Sequence, residues 1–137
     1  MLLVGPAHAQ PDRAPSPLEL RGQPVPTLAA HPDVTVLLRS VARGRQTYVL
    51  RHLRSPEPGR LSVAEDRYVF GWTCDGGACD EAGLFLGYDT RAERLYLLLL
   101  DGGQATLTVP TRRSPWPAAM VEAVLAVKPD LPNFHAE

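Results

Sequence analysis

At 137 residues, with 45% hydrophobic and 21% charged positions, the chain holds enough apolar material for the core of one ordinary domain and has no need of a second. A formal charge of −1 gives no net field of either sign, which argues against nucleic acid as a partner. The most apolar run, Leu95 to Leu100, is far shorter than the roughly twenty residues a membrane-spanning helix requires.

In chain order, residues 1–9 couple a short apolar run to Ala7-His8-Ala9, the small-x-small pattern that signal peptidase cuts. They are expected to be the remnant of a leader, and the protein to be exported. Residues 10–32 are dense in proline and poor in large apolar groups, which describes an extended tail that joins the fold late. The domain proper is expected over residues 33–137. Val34, Leu37, Leu38 and Val41 fall at i, i+3, i+4, i+7 ahead of Gly44, which predicts a short amphipathic helix over 33–43. Residues 46–53 are β-prone without a helical stripe, so a strand or irregular crossing is expected there, stopped by Ser55-Pro-Glu-Pro-Gly59.

A run of antiparallel strands follows. Leu61 to Ala64 leads through a turn at Glu65-Asp66 into 67–73, where Tyr68, Phe70 and Trp72 share one face by period two and read as core. Leu84, Leu86 and Tyr88 mark the next strand, over 83–89, and a polar hairpin loop returns it as 94–100. This last strand is apolar on both faces, as a central strand covered on two sides should be. Asp101-Gly-Gly103 is a strong turn signal, after which Thr106 to Val109 alternates as a half-exposed strand. Ser114 offers an N-cap with Pro115 at the first helical position. Trp116, Met120, Val121, Val124 and Leu125 form an apolar stripe, and Pro129 ends the helix. The class implied is α+β, an antiparallel meander of about four to five strands with helices packed on one face.

Both cysteines lie where the aromatic strand breaks off. Four residues separate Cys74 from Cys79, and Gly76-Gly77 between them can turn tightly enough for the sulfurs to meet, so a disulfide-closed loop is expected. So short a ring stabilises the fold by only about 2 kcal/mol, and its better use is to hold a surface loop in one shape for a partner. A dithiol redox pair favours Cys-x2-Cys in a cationic setting, whereas Asp75, Asp80 and Glu81 surround these thiols with negative charge.

From Val63 through Arg67-Tyr-Val-Phe-Gly-Trp-Thr-Cys74, then Cys79, a leucine-rich hairpin and a late Trp-led helix, the chain resembles the Ivy family, periplasmic inhibitors of vertebrate lysozyme. The likeness runs from about Leu37 to the C-terminus. It implies a periplasmic, inhibitor-like protein whose partner is a lysozyme or another peptidoglycan-cleaving enzyme such as a lytic transglycosylase. In that family the residues between the cysteines are Lys-Pro-His-Asp, and the His enters the lysozyme cleft to contact its catalytic carboxylates. Here Asp75 stands at the Lys position, Gly76 at the Pro, Gly77 at the His and Ala78 at the Asp. Gly77 offers only backbone, and Asp75 would meet those carboxylates as a like charge. Asp75, Asp80 and Glu81 would instead face the basic surface of such lysozymes and steer docking. The partner-binding loop implied is therefore Asp75, Gly76, Gly77, Ala78, Asp80 and Glu81, held by Cys74 and Cys79. The alternative is a non-inhibitory envelope interaction module that keeps the fold and has lost the plug. Some family members dimerise, and the two-sided apolar strand 94–100 would suit a homodimer.

No nucleophile elbow, phosphate-binding glycine loop or hydrolytic carboxylate pair is present, so neither an enzyme nor a cofactor is expected. No metal site is expected either: His31, His52 and His135 lie far from the cysteines without ligand spacing and read as surface or strand-edge residues. Arg39, Arg43, Arg45, Arg51 and Arg54 read as a solvated face.

Overall fold

A computed structural model describes residues 15–42, 44–74, 78–110, 114–132 and 134. The leader-like residues 1–9, the loop residues Asp75, Gly76 and Gly77, and Arg43 and His135 lie outside the described residues.

The frame is a five-stranded antiparallel sheet in the order β1-β2-β3-β4-β5: β1 (Ser62–Ala64), β2 (Tyr68–Cys74), β3 (Ala82–Asp89), β4 (Arg94–Asp101) and β5 (Gln104–Val109). Each strand pairs with its neighbour in sequence, so the meander expected from the alternating pattern is the meander formed. Alternation then sorts the side chains. Leu95, Leu97 and Leu99 point from β4 to one face with Val69, Leu84, Leu86 and Tyr88, while Tyr96, Leu98 and Leu100 join Tyr68, Phe70 and Phe85 on the other.

Both faces are covered, which corrects the expectation of helices on one face only. The first carries α1 (Val25–Ala29), α2 (Pro32–Val41) and α3 (Gln46–Leu53), seated through Val25, Leu28, Val34 and Val49. The second carries α4 (Ala118–Val127), seated through Met120 and Val124, with Trp116, Leu131 and Phe134 beside it. The apolar stripe in each helical region needed burial, and a sheet apolar on both sides offered two places for it. Strand β4 is thus covered on both faces by its own chain, which removes the reason for expecting a second copy there.

Three local expectations change with the structure. The described part of the proline-dense stretch, expected to run extended, forms a 3-10 turn (Pro17–Leu20) and α1, with Leu20, Val25 and Leu28 buried on the sheet. Its prolines start helices: Pro17 stands in the first turn after the Ser16 cap, and Pro24 and Pro26 open α1. The backbone of this stretch pairs with residues 59–61, Gly22 N–H donating to Leu61 O (2.9 Å), Leu61 N–H to Gln23 O (2.8 Å) and Val25 N–H to Gly59 O (3.0 Å).

Residues 46–53, expected as a strand or irregular crossing, are helical. Their inward face is Val49 and His52, with Leu53 packed alongside, while Tyr48 and Leu50 are exposed. The helical stripe contains a histidine, and apolar residues stand off it, so the hydrophobic pattern concealed the period and packing overrode β propensity. Helix α4 starts at Ala118 with Pro117 as N-cap, rather than at Pro115 after Ser114. Trp116 precedes a proline and is disfavoured from helical angles. It is instead buried among Phe85, Tyr96 and Phe134, with ring centroids 5.8, 5.1 and 5.0 Å away.

His31 and His52, expected as surface or strand-edge residues, are also buried, being 7% and 5% exposed. His31 caps α2: Nδ1 accepts from Asp33 N–H (3.1 Å), which leaves the proton on Nε2 to donate to Pro15 O. The ring thereby ties the start of the described chain to the helix layer.

Candidate partner-binding site

Cys74 ends β2, Cys79 lies five residues on, and a disulfide joins them with the Cα atoms 4.8 Å apart. The bridge closes the β2–β3 connection at one end of the sheet, with Cys74 still in register opposite Gly83. A turn continues from it, Glu81 N–H and Ala82 N–H both donating to Ala78 O at 3.0 and 2.9 Å.

Neighbouring elements brace this turn from three sides. Ser55, just past α3, donates its hydroxyl to Cys74 O (3.1 Å), and Thr73 Oγ1 donates to His52 O (3.1 Å). From the β4–β5 hairpin, Gly103 N–H donates to Glu81 O (2.9 Å), and Asp101 pairs with Ala82. Trp72 sits beneath, its Nε1–H donating to Ala123 O of α4 (3.0 Å) and its ring 5.6 Å edge-on from Phe85.

Gly83 makes the close approach possible. A Cβ built there would stand 2.6 Å from Cys79 O and 3.2 Å from the Trp72 ring, so no other residue lets the turn fold down onto the indole. The pattern Gly83-Leu-Phe-Leu-Gly87 could have signalled that approach, because a glycine in a strand often marks one. Asp101 shows why a hairpin residue can belong to this end of the molecule without any sequence signal: the sheet register alone brings it beside Ala82.

Of the residues expected in the contact element, Ala78, Asp80 and Glu81 are brought together and exposed, and Asp101 adds a third exposed carboxylate nearby. Asp75, Gly76 and Gly77 lie outside the described residues. A family model described as "Inhibitor of vertebrate lysozyme (Ivy)" matches residues 33–129, from α2 through the whole sheet, the bridged turn and α4. The chain belongs to the Ivy family. No curated protein and no solved structure matches it.

Ivy is an inhibitor family rather than an enzyme family, and its match covers the bridged turn. Among the described residues no group of three or more His, Cys, Asp or Glu could hold a metal ion, and no helix is long and apolar enough to cross a membrane. The 3-10 turn and α1 precede the matched stretch and pack on the same sheet face as α2 and α3.

Proposed function

We propose that this Ivy-family chain is an exported protein that binds a lysozyme or another peptidoglycan-cleaving enzyme through the disulfide-closed turn. The observation that carries the reading is the match to the inhibitor family over a stretch that includes the bridged Cys74–Cys79 turn. Export is supported by the leader-like Ala7-His8-Ala9 and by a disulfide that suits an oxidising compartment. The exposed carboxylates of Asp80, Glu81 and Asp101 would draw a cationic enzyme toward the turn, which would then make the contact. The test is turbidity clearing of a peptidoglycan suspension by lysozyme or lytic transglycosylase with the purified chain at micromolar concentration. Slowed clearing supports the proposal; undiminished clearing with every enzyme tried rejects inhibition.

One observation favours a second reading, a non-inhibitory envelope interaction module. Between the cysteines stand Asp75, Gly76, Gly77 and Ala78, none of which can present an imidazole to a carboxylate pair. Under this reading Gly77→His fails to create inhibition, and cross-linking through residues 78–81 captures a partner that cleaves no peptidoglycan. Under the first, Gly77→His strengthens inhibition.

A further inference from the structure

The helix layer contains a recess whose lining residues take no part in the bridged turn. Helices α1, α2 and α3 wall a cup of about 390 Å³. It exists because Ala29, Ala30 and Ala42 place methyl groups where larger side chains would close the gap. Leu38, Val49 and Leu53 supply apolar walls, and Leu50, 44% exposed, extends the apolar surface to the lip. The volume lies within the roughly 300–1,000 Å³ that small-ligand pockets occupy, and such pockets are likewise mostly apolar with a few placed polar groups.

The polar groups decide what could enter. Thr35 lines the cup, but its hydroxyl already donates to Ala29 O (2.7 Å). That leaves Arg39 and Gln46, both exposed at the mouth. Arg39 takes part in no ion pair among the described residues. From residue 34 to residue 56 the sequence holds five arginines and not one Asp or Glu, in a chain whose net charge is −1. An apolar recess with a cationic mouth complements a molecule with an apolar tail and an anionic head. The recess is open to solvent and lined by three short helices, a footprint that suits one chain better than a bilayer, which needs a broad amphipathic face.

We propose that this cup binds a free single-chain carboxylate amphiphile, its tail among Ala29, Ala30 and Ala42 and its head on Arg39 and Gln46. The guanidinium fork suits a carboxylate in two-point contact, and the Gln46 amide adds one donor.

The experiment titrates the full chain with dodecanoate below its micellar concentration, using calorimetry and amide NMR. The expected result is saturable one-to-one binding, with shifts concentrated at Ala29, Ala30, Ala42 and Val49. Dodecyltrimethylammonium, with the same tail and opposite head, should bind at least about tenfold more weakly, and Arg39→Gln should weaken dodecanoate by about tenfold. Ala30→Leu, at an exposed position on the lip, should weaken it by obstructing the mouth, and its unfolding midpoint reports whether the fold is kept. Were that variant to unfold, Arg39→Gln on the exposed face of α2 still decides. The proposal is overturned if dodecanoate fails to saturate, if both head groups bind alike, or if Arg39→Gln leaves binding unchanged. It is equally overturned if anionic vesicles recruit the protein while monomeric dodecanoate does not, or if sedimentation shows the cup occupied by a second copy of the chain.

Discussion

Arg67 and Asp89 meet as a fork, Nε donating to Oδ1 and Nη2 to Oδ2, both at 2.8 Å, at the end of the sheet opposite the disulfide. Asp89 Oδ1 also accepts from Arg91 N–H (3.0 Å) and Ala92 N–H (3.1 Å), and Thr90 Oγ1 donates to Arg67 O (2.8 Å). One carboxylate thus fixes the β3–β4 hairpin and joins it to the β1–β2 turn. The sheet is clamped at both ends by different chemistry, covalent at the candidate binding end and ionic at the other. Strands β2 and β3 run the full distance between the two clamps, so the pose of the bridged turn is set by a frame held at its far end as well.

The fork makes stability depend on pH with a definite sign. The Arg67 hydrogen bonds hold the Asp89 carboxyl below the ordinary carboxylate range, helped by the Ala92 and Arg91 amides and opposed by desolvation. A group whose pKa is lower when folded contributes stability above its unfolded value, about 3.9, and loses it as pH falls through the folded value. Asp89→Asn is therefore expected to be less stable than the parent by about 2 kcal/mol at pH 7, a figure kept low because Arg67 is partly exposed. The deficit should shrink below about pH 4. Urea unfolding of both proteins between pH 7 and pH 2 checks it, and a deficit that stays constant into acid rules the ion pair out as its source.

How far this architecture could be read in advance depended on which side chains carried the period. Strands β2 to β4 were legible because Tyr68, Phe70 and Trp72, then Leu84, Leu86 and Tyr88, repeat every second residue, and a bridged Cys74–Cys79 turn was legible in Gly76-Gly77 between the cysteines. Helix α3 was concealed because a buried His52 stands where an apolar residue was sought, and exposed Tyr48 and Leu50 stand off the stripe. The stretch before α2 looked like a tail because proline density suggests extension, yet Pro17, Pro24 and Pro26 occupy helix starts, where proline is well tolerated. Long-range partners of the turn, Ser55 and Gly103, have no local signature: the fold alone brings them within hydrogen-bonding distance of Cys74 and Glu81.

Gly83→Ala should disturb the candidate site from beneath. The added methyl would lie 2.6 Å from Cys79 O, a backbone atom held by the disulfide, and 3.2 Å from the indole of Trp72. Neither can withdraw without shifting the turn, so a loss of about 2 kcal/mol is expected, in the range for overpacking. Because the displaced ring is a tryptophan, the emission maximum of the native protein should move as well. An unaltered midpoint with unaltered emission would show that the turn does not rest on the indole.

Opening the ring should have a small effect on stability and a larger one on binding. The double variant Cys74→Ser, Cys79→Ser is expected to lose about 2 kcal/mol, because a bridge between residues so close in sequence removes little freedom from the unfolded chain. Strand β2 keeps its pairing with β3 and the Ser55 hydroxyl bond to the carbonyl of residue 74, neither of which needs the sulfurs. If the turn is the contact element, affinity for the partner enzyme should fall further than stability does, since the open turn must be ordered again on docking. Equal affinity for the bridged and open forms would place the contact elsewhere on the surface.

Charge reversal at the turn separates steering from contact. Asp80 and Glu81 are exposed and make no ion pair among the described residues, so Asp80→Lys with Glu81→Lys should leave the unfolding midpoint within about 0.5 kcal/mol of the parent. Against a cationic lysozyme the same variant should associate about tenfold more slowly at low salt, with the dissociation rate little changed. The gap should close as ionic strength rises, because the Debye length falls to about 8 Å at physiological salt and surface charges cease to act at a distance. Association rates measured across a salt series distinguish the cases: a salt-independent deficit means that Asp80 or Glu81 touches the partner, and no deficit at any salt means that the turn does not face it.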